Sequence, residues 1–101
     1  MKKRKKNRKL SFNKIKEQEF FHGKYKITWK KPYSCDGICF DPNIKEIKIN
    51  PNMRNSKQFL KILIDESIHA NFWNLDNEIV YDASTSIANF LWDIGWRLKN
   101  K

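Results

Sequence analysis

The chain has 101 residues, of which 40% are apolar and 14% aromatic, and its net charge is +10. These values suit one small domain with a packed core and exclude a globally disordered chain. No run of about 18 apolar residues occurs, so neither a membrane-spanning helix nor a membrane partner is expected. Because no apolar segment follows the basic N-terminus, we expect no secretory signal and a cytoplasmic protein, in the host cytoplasm if its source is a virus.

The positive charge is concentrated in the N-terminal half. Residues 1–50 carry 15 Lys/Arg against 5 Asp/Glu, whereas residues 51–101 carry 6 of each. Since blocks of like charge are commonly disordered tails, we predict a disordered basic arm at 1–10 and a single domain at 11–101. Such an arm either binds nucleic acid through counterion release or only keeps the chain in solution. Its candidate nucleic-acid-binding residues are Lys2, Lys3, Arg4, Lys5, Lys6, Arg8 and Lys9.

The stretch that follows the arm predicts short strands. Apolar residues between positions 11 and 21 allow a short helix, which Gly23 ends. Residues 24–31 alternate between apolar and mostly basic side chains, a period of two that predicts a half-buried strand. Two further strands are predicted at 38–40 and 44–49, each followed by a turn that contains proline.

Beyond residue 55 the apolar spacing becomes that of helices. A helix is predicted over 57–73, with Ser56 as its N-cap. After a tight link, Asp76 caps a second helix over 77–96. The apolar residues of this second helix are Ile79, Val80, Ala83, Ile87, Phe90, Leu91 and Ile94. The predicted fold is therefore α+β, with a small antiparallel sheet followed by a two-helix hairpin.

The first helix carries the segment Asp65-Glu66-Ser67-Ile68-His69. Asp65 and His69 are four residues apart, so their side chains lie next to each other on one helix face. An aspartate oxygen and a histidine nitrogen both bind zinc at about 2.0–2.2 Å. Glu66 is one position round the helix and can reach a ligand bound between them. The spacing favours a divalent-metal site, with zinc as the expected ion.

A third metal ligand has to come from elsewhere in the chain. In an antiparallel helix pair closed near residue 75, positions whose numbers sum to roughly 150 face each other. Residues 65–69 then lie opposite 81–85, where Asp82 is the acidic residue. Glu78 is the alternative third ligand. Tyr81 is a candidate proton donor or oxyanion stabiliser.

Other features leave alternatives open. Cys35 and Cys39 lack the further Cys or His ligands of a structural zinc site, so we expect free thiols. Tyr25 and Trp29, beside lysines of the predicted strand, suit either its inner face or a platform on which nucleobases stack. A buried hydrogen-bonded network without metal would also satisfy the acids and the histidine of the first helix.

Residues 45–97 resemble a minimal zincin domain. The motif at Asp65 is one residue away from H-E-x-x-H, the helical signature of zinc metallopeptidases. The chain is most similar to the short HExxH-type proteins of phage genomes, whose layout is related to that of SprT-like and ImmA/IrrE-type metallopeptidases. The matching parts are the predicted strand 46–49, the motif segment 63–70 and the end of the second helix, 90–97.

The resemblance implies a zinc-dependent peptidase. It implies His69 as a metal ligand, Glu66 as the general base and a downstream acid, Asp82 or Glu78, as the third ligand. It also implies that strand 46–49 borders a cleft over the motif helix and presents its backbone to an extended peptide. Asp65 stands where the family has its first histidine.

Three hypotheses follow from these features. The first is a metal-dependent hydrolase, a zincin-like peptidase with a variant D-E-x-x-H site. The second is a catalytically inactive zincin-like protein that binds nucleic acid through residues 1–9. The third is an interaction module in which the acids and the histidine form a buried network.

Overall fold

Four strands precede two helices along the chain in the computed structural model, which describes residues 12–54 and 56–97. The elements are β1 (Glu17–Phe20), β2 (Gly23–Thr28), β3 (Gly37–Cys39), β4 (Glu46–Ile49), α1 (Lys57–Asn71) and α2 (Asn77–Asp93), with 3₁₀ turns at Phe12–Lys14 and Pro51–Met53. The predicted α+β class, a sheet followed by two helices, is confirmed. The predicted arm at 1–10 lies outside the described residues.

The sheet is mixed, with the strand order β1-β2-β4-β3. β1 pairs with β2 and β3 with β4 in the antiparallel sense, but β2 and β4 run parallel, with Ile27 opposite Ile47. The prediction of a purely antiparallel sheet is therefore wrong at this one pair. An alternation with period two reports which face of a strand is buried, and it is the same for either direction of pairing.

The N-terminal segment forms a strand where a short helix was predicted, so the helix over 11–21 is wrong. β1 forms a hairpin with β2 through a tight turn. Gly23, the first residue after this turn, has a φ of +124°, a conformation that favours glycine. The hairpin aligns Glu17 with Lys26 and Glu19 with Lys24 across the strands. These opposite charges support the pairing, which overrides a weak local preference for helix.

The core lies between the sheet and α1. Its buried members, all at most 8% exposed, are Tyr25, Ile27, Cys39, Ile47, Ile49, Phe59, Ile62 and Ala70. α2 packs mainly on α1, so that sheet, α1 and α2 form three successive layers. Among the described residues, no helix is long and apolar enough to cross a membrane.

Two sequence predictions concern residues of this core region. Tyr25 is completely buried, and the indole nitrogen of Trp29 donates to the Ile15 carbonyl at 2.8 Å. A nucleobase-stacking platform on these two rings is therefore excluded, and the inner-face interpretation of the strand is confirmed. Cys35 and Cys39 are both free thiols, as expected.

Both helices begin at the predicted caps. The Ser56 hydroxyl accepts a hydrogen bond from the Phe59 amide at 3.0 Å, and the Asp76 carboxylate accepts one from the Glu78 amide at 2.8 Å. The helices end at Asn71 and Asp93, two and three residues before the predicted ends. Differences of this size are usual, since the last turn of a helix frays.

Candidate metal centre

α1 brings Asp65, Glu66 and His69 together. One ligand atom of each residue lies within 4.8 Å of the others. Asp65 Oδ2 and His69 Nε2 are 3.8 Å apart, and both side chains are about one-fifth exposed, at 23% and 19%. Because all three residues belong to one helix, their proximity follows directly from the i, i+1, i+4 spacing.

The predicted third ligands are not part of this group. Asp82 and Glu78 are exposed and line a separate depression with Asn77 and Tyr81. The residue of α2 that faces Asp65 is Ser84, whose hydroxyl donates to Asp65 Oδ1 at 2.7 Å. The predicted register of the hairpin is therefore confirmed, because 65 and 84 sum to about 150. Asp82 is two residues earlier, about 200° round the helix from Ser84, and so points elsewhere.

Tyr81 does not face the group either. It is 58% exposed, and the ammonium of Lys61 lies 4.0 Å from the centre of its ring. The predicted role as proton donor or oxyanion stabiliser has no support in this arrangement, since Tyr81 does not line the cleft that holds Glu66 and His69.

Glu66 is the buried member of the group, at 7% exposure. The backbone of β3 passes close above it at Gly37. A Cβ atom at this glycine would lie 2.5 Å from Ile62 Cγ2 and 3.2 Å from Glu66 Oε2. Only a residue without a side chain lets β3 approach α1 so closely. No pattern in the sequence pointed to this contact of Gly37, so this part of the site was missed.

Burial changes the proton affinity of Glu66. Removal from water raises its pKa to about 7, and the neighbouring Asp65 carboxylate raises it further, while Lys61 acts in the opposite direction. Burial also raises the pKa of the Cys39 thiol to about 12, with a smaller contribution from Glu66. A carboxyl group that titrates near neutrality can take up and release a proton under physiological conditions.

Two members of the group, Glu66 and His69, line a cleft of about 630 Å³ between α1, β3 and the start of α2, and Asp65 lies beside them. Its lining residues are Gly37, Ile38, Cys39, Glu66, His69, Trp73, Leu75, Asp76 and Asn77. The strand that borders the cleft is β3, at the edge of the sheet, whereas β4 lies between β2 and β3. The expectation that strand 46–49 borders the cleft is therefore wrong, because the parallel pairing of β2 with β4 puts 46–49 inside the sheet.

The candidate nucleic-acid-binding residues lie outside the described part of the chain. They are Lys2, Lys3, Arg4, Lys5, Lys6, Arg8 and Lys9. Their predicted role rests on the charge of the sequence alone.

Comparison with known proteins gives no relative. No protein-family model, no curated protein and no solved structure matches this chain. The resemblance to zincins therefore rests on the motif in α1 and on the order of the elements. The function has to be inferred from the side chains at the cleft and their geometry.

Proposed function

We propose that this protein is a metal-dependent hydrolase that cleaves peptides in the cleft between α1 and β3, with zinc as the expected ion. The observation that carries the proposal is the convergence of Asp65, Glu66 and His69 within 4.8 Å, two of which, Glu66 and His69, line that cleft. The 3.8 Å between Asp65 Oδ2 and His69 Nε2 is a separation that one ion about 2 Å from each atom can span.

The chemistry of the donor atoms fits a divalent cation. One carboxylate and one imidazole as ligands, with the Glu66 carboxylate next to them, make the site more anionic and harder than a pair of histidines. Glu66 is 7% exposed, and its carboxylate forms no hydrogen bond or ion pair with a residue in 12–54 or 56–97. A buried carboxylate without a partner is costly, and a cation nearby would offset that cost. A bound divalent metal supplies Lewis-acid polarisation of a carbonyl and a lowered pKa of water.

Each residue of the proposed site has its own role. Asp65 and His69 hold the metal, and the hydroxyl of Ser84 fixes the orientation of the Asp65 carboxylate. Glu66, next to the two ligands, takes the proton from the attacking water. β3, as an edge strand, offers backbone groups to which an extended peptide can pair.

Metal binding tests the proposal directly. Zinc and manganese titrations of the purified protein, followed by calorimetry, should give one site, and His69→Ala should weaken it by roughly tenfold or more. Asp82→Asn is the matched control, since this exposed acid lies outside the group, and it should bind like the wild type. If the wild type binds neither metal, or if the two variants lose affinity equally, the metal centre is refuted.

Two further variants separate the roles of the ligands and the base. Asp65→His restores the ligand pair of H-E-x-x-H and should raise zinc affinity, because imidazole suits zinc better than a carboxylate does. Glu66→Gln should retain the metal and abolish hydrolysis of an unstructured peptide substrate. Loss of metal in Glu66→Gln would instead make Glu66 a ligand, and hydrolysis that survives this variant would exclude Glu66 as the base.

The charge of the sequence favours a second function, binding of nucleic acid through the arm. Seven of the residues from Lys2 to Lys9 are basic. Such a segment attracts phosphates regardless of base sequence. Removal of residues 1–9 should then abolish binding of single-stranded DNA while it leaves metal binding unchanged.

A further inference from the structure

An apolar stripe runs along the outer face of α2. It consists of Ile79, Ala83, Ile87, Phe90 and Ile94, and it is called the α2 stripe below. Steps of four, four, three and four residues keep these side chains on one face of the helix. The four large side chains are 53%, 41%, 63% and 67% exposed in chain order. Exposed apolar residues that form a continuous row are typical of an interaction surface.

The stripe is not needed for packing within the domain. α2 packs on α1 through Val80, Ser84 and Ala88, which are at most 1% exposed. Since adjacent helix positions differ by about 100°, this contact face is next to the α2 stripe and does not cover it. The helix therefore has two apolar faces, one buried against α1 and one open to solvent.

The surroundings of the stripe are acidic. Residues 62–96 contain six Asp/Glu and no Lys or Arg, although the whole chain has a net charge of +10. Glu78, Asp82 and Asp93 are exposed and follow one flank of the stripe. No residue in 56–97 forms an ion pair with any of the three. Lys57 and Lys61 lie on the other side of α2, in a groove with Tyr81.

We propose that the α2 stripe binds an amphipathic helix of another protein, whose apolar face is bordered by Lys or Arg. A helix recognises such a row through apolar anchors at i, i+3, i+4 and i+7. Basic residues on its border would face Glu78, Asp82 and Asp93, and this complementary charge selects the partner. The proposal is independent of the metal centre, since none of these residues lines the cleft.

The same charges disfavour an antiparallel pair of two copies of this chain. If two α2 stripes packed antiparallel, Ile79 would meet Ile94 and Ala83 would meet Phe90, which is sterically acceptable. However, Asp82 of one copy would then lie beside Asp93 of the other on the same flank. Like charges at neighbouring positions oppose this arrangement.

Peptide binding tests the proposal with the full-length chain. The probe is a fluorescent synthetic helix of the same length as α2, with a leucine stripe bordered by lysine, and its twin carries glutamate in place of lysine. Anisotropy should show saturable binding of the lysine peptide and roughly tenfold or more weaker binding of the glutamate peptide. Binding of the lysine peptide is the more telling because the chain as a whole has a charge of +10 and would repel it.

Variants locate the contact. Phe90→Ser should weaken binding of the lysine peptide by about tenfold, as expected for a central apolar anchor. Phe72→Ser is the matched control, because Phe72 is 60% exposed and lies outside the stripe. Asp82→Asn combined with Asp93→Asn should weaken binding several-fold and reduce its salt dependence. All four side chains are exposed, and circular dichroism verifies that the variants fold.

Several results would overturn the proposal. They are failure of the lysine peptide to bind, equal binding of both peptides, and equal effects of Phe90→Ser and Phe72→Ser. A wild-type dimer in sedimentation equilibrium that Phe90→Ser dissociates would assign the stripe to a second copy instead. Binding to anionic lipid vesicles that depends on Phe90, without binding of the peptide, would assign it to a membrane surface.

Discussion

At the scale of single residues, Glu66 is the charged side chain of the candidate centre that is removed furthest from water, at 7% exposure. The neighbouring Asp65 and His69 retain about one-fifth of their exposure and meet at 3.8 Å. A helix thus sets one buried and two accessible donors side by side. In the proposed function, the two accessible groups bind the metal and the buried one is the proton acceptor.

The pKa of Glu66 makes the stability of the metal-free protein depend on pH. The pKa in the folded state, about 7, lies above the ordinary value of 4.5, so folding favours the protonated form. The stabilising contribution of protonated Glu66 to the unfolding free energy is fully present below pH 4.5 and is lost as the pH rises through 7. We expect Glu66 to cost on the order of 2–3 kcal/mol of unfolding free energy at pH 8 relative to pH 4.

Urea unfolding with a chelator, at several pH values between 4 and 8, measures this effect. The difference in unfolding free energy between the wild type and Glu66→Gln should change with pH, and Glu66→Gln should be the more stable protein at pH 8. Glu78→Gln is the matched control, since Glu78 is exposed, and should follow the wild type. Parallel pH profiles for the wild type and Glu66→Gln would contradict the burial argument.

At the scale of elements, the approach of β3 to α1 forms the cleft. Gly37 allows this approach because a Cβ there would lie 2.5 Å from Ile62 Cγ2. Glu66 is buried beneath the same strand. The candidate site therefore depends on the helix motif and equally on one small residue of a short edge strand.

Substitution of this glycine should separate the two elements. Gly37→Ala should lower the unfolding free energy by about 1–3 kcal/mol, the usual cost of inserting a methyl group into a packed contact. In the Ile62→Ala background the same substitution should cost less, because the clashing methyl group is absent. Chemical denaturation of the four proteins of this cycle measures the coupling, and strictly additive costs would disprove the contact.

The two apolar faces of α2 also belong to this scale. The apolar residues form a wide arc along the helix, and α1 covers only the part at Val80, Ser84 and Ala88. Periodicity shows that a helix is amphipathic, and it does not show how many neighbours cover the apolar face. The open part is the α2 stripe.

At the scale of the whole molecule, charge is separated along the chain. Residues 1–61 hold 18 Lys/Arg against 5 Asp/Glu, whereas residues 62–96 hold six acids and no base. The acidic part contains both the Asp65, Glu66 and His69 group and the α2 stripe. The basic part contains the arm, so a cation and a polyanion would engage different regions of one small protein.

Salt dependence measures the contribution of the arm. We assume that the seven basic residues of Lys2–Lys9 each neutralise one phosphate. A plot of the logarithm of the binding constant for single-stranded DNA against the logarithm of salt concentration should then have a slope of about −5. Removal of residues 1–9 should flatten this slope. Lys24→Gln combined with Lys26→Gln, on the strand paired with Glu19 and Glu17, is the control and should leave it unchanged. A slope that survives the deletion would contradict the role of the arm.

Much of this protein follows from local sequence. The caps at Ser56 and Asp76, the two helices and the inner face of β2 are all determined by neighbouring residues, and the structure has each of them. The Asp65, Glu66 and His69 group is local in the same sense, because one helix turn fixes the positions of all three side chains. The register of the two-helix hairpin could be predicted too, because a short link allows few ways for α1 and α2 to pack.

Only the tertiary structure decided the rest. The parallel pairing of β2 with β4 puts β3 at the cleft, and rotation of α2 puts Ser84, not Asp82, against Asp65. Both depend on contacts between residues distant in sequence, and a rotation of one or two positions exchanges one side chain for another. The sequence alone therefore determined the grouping of the three side chains in the D-E-x-x-H segment. Packing between elements decided which residues surround this group.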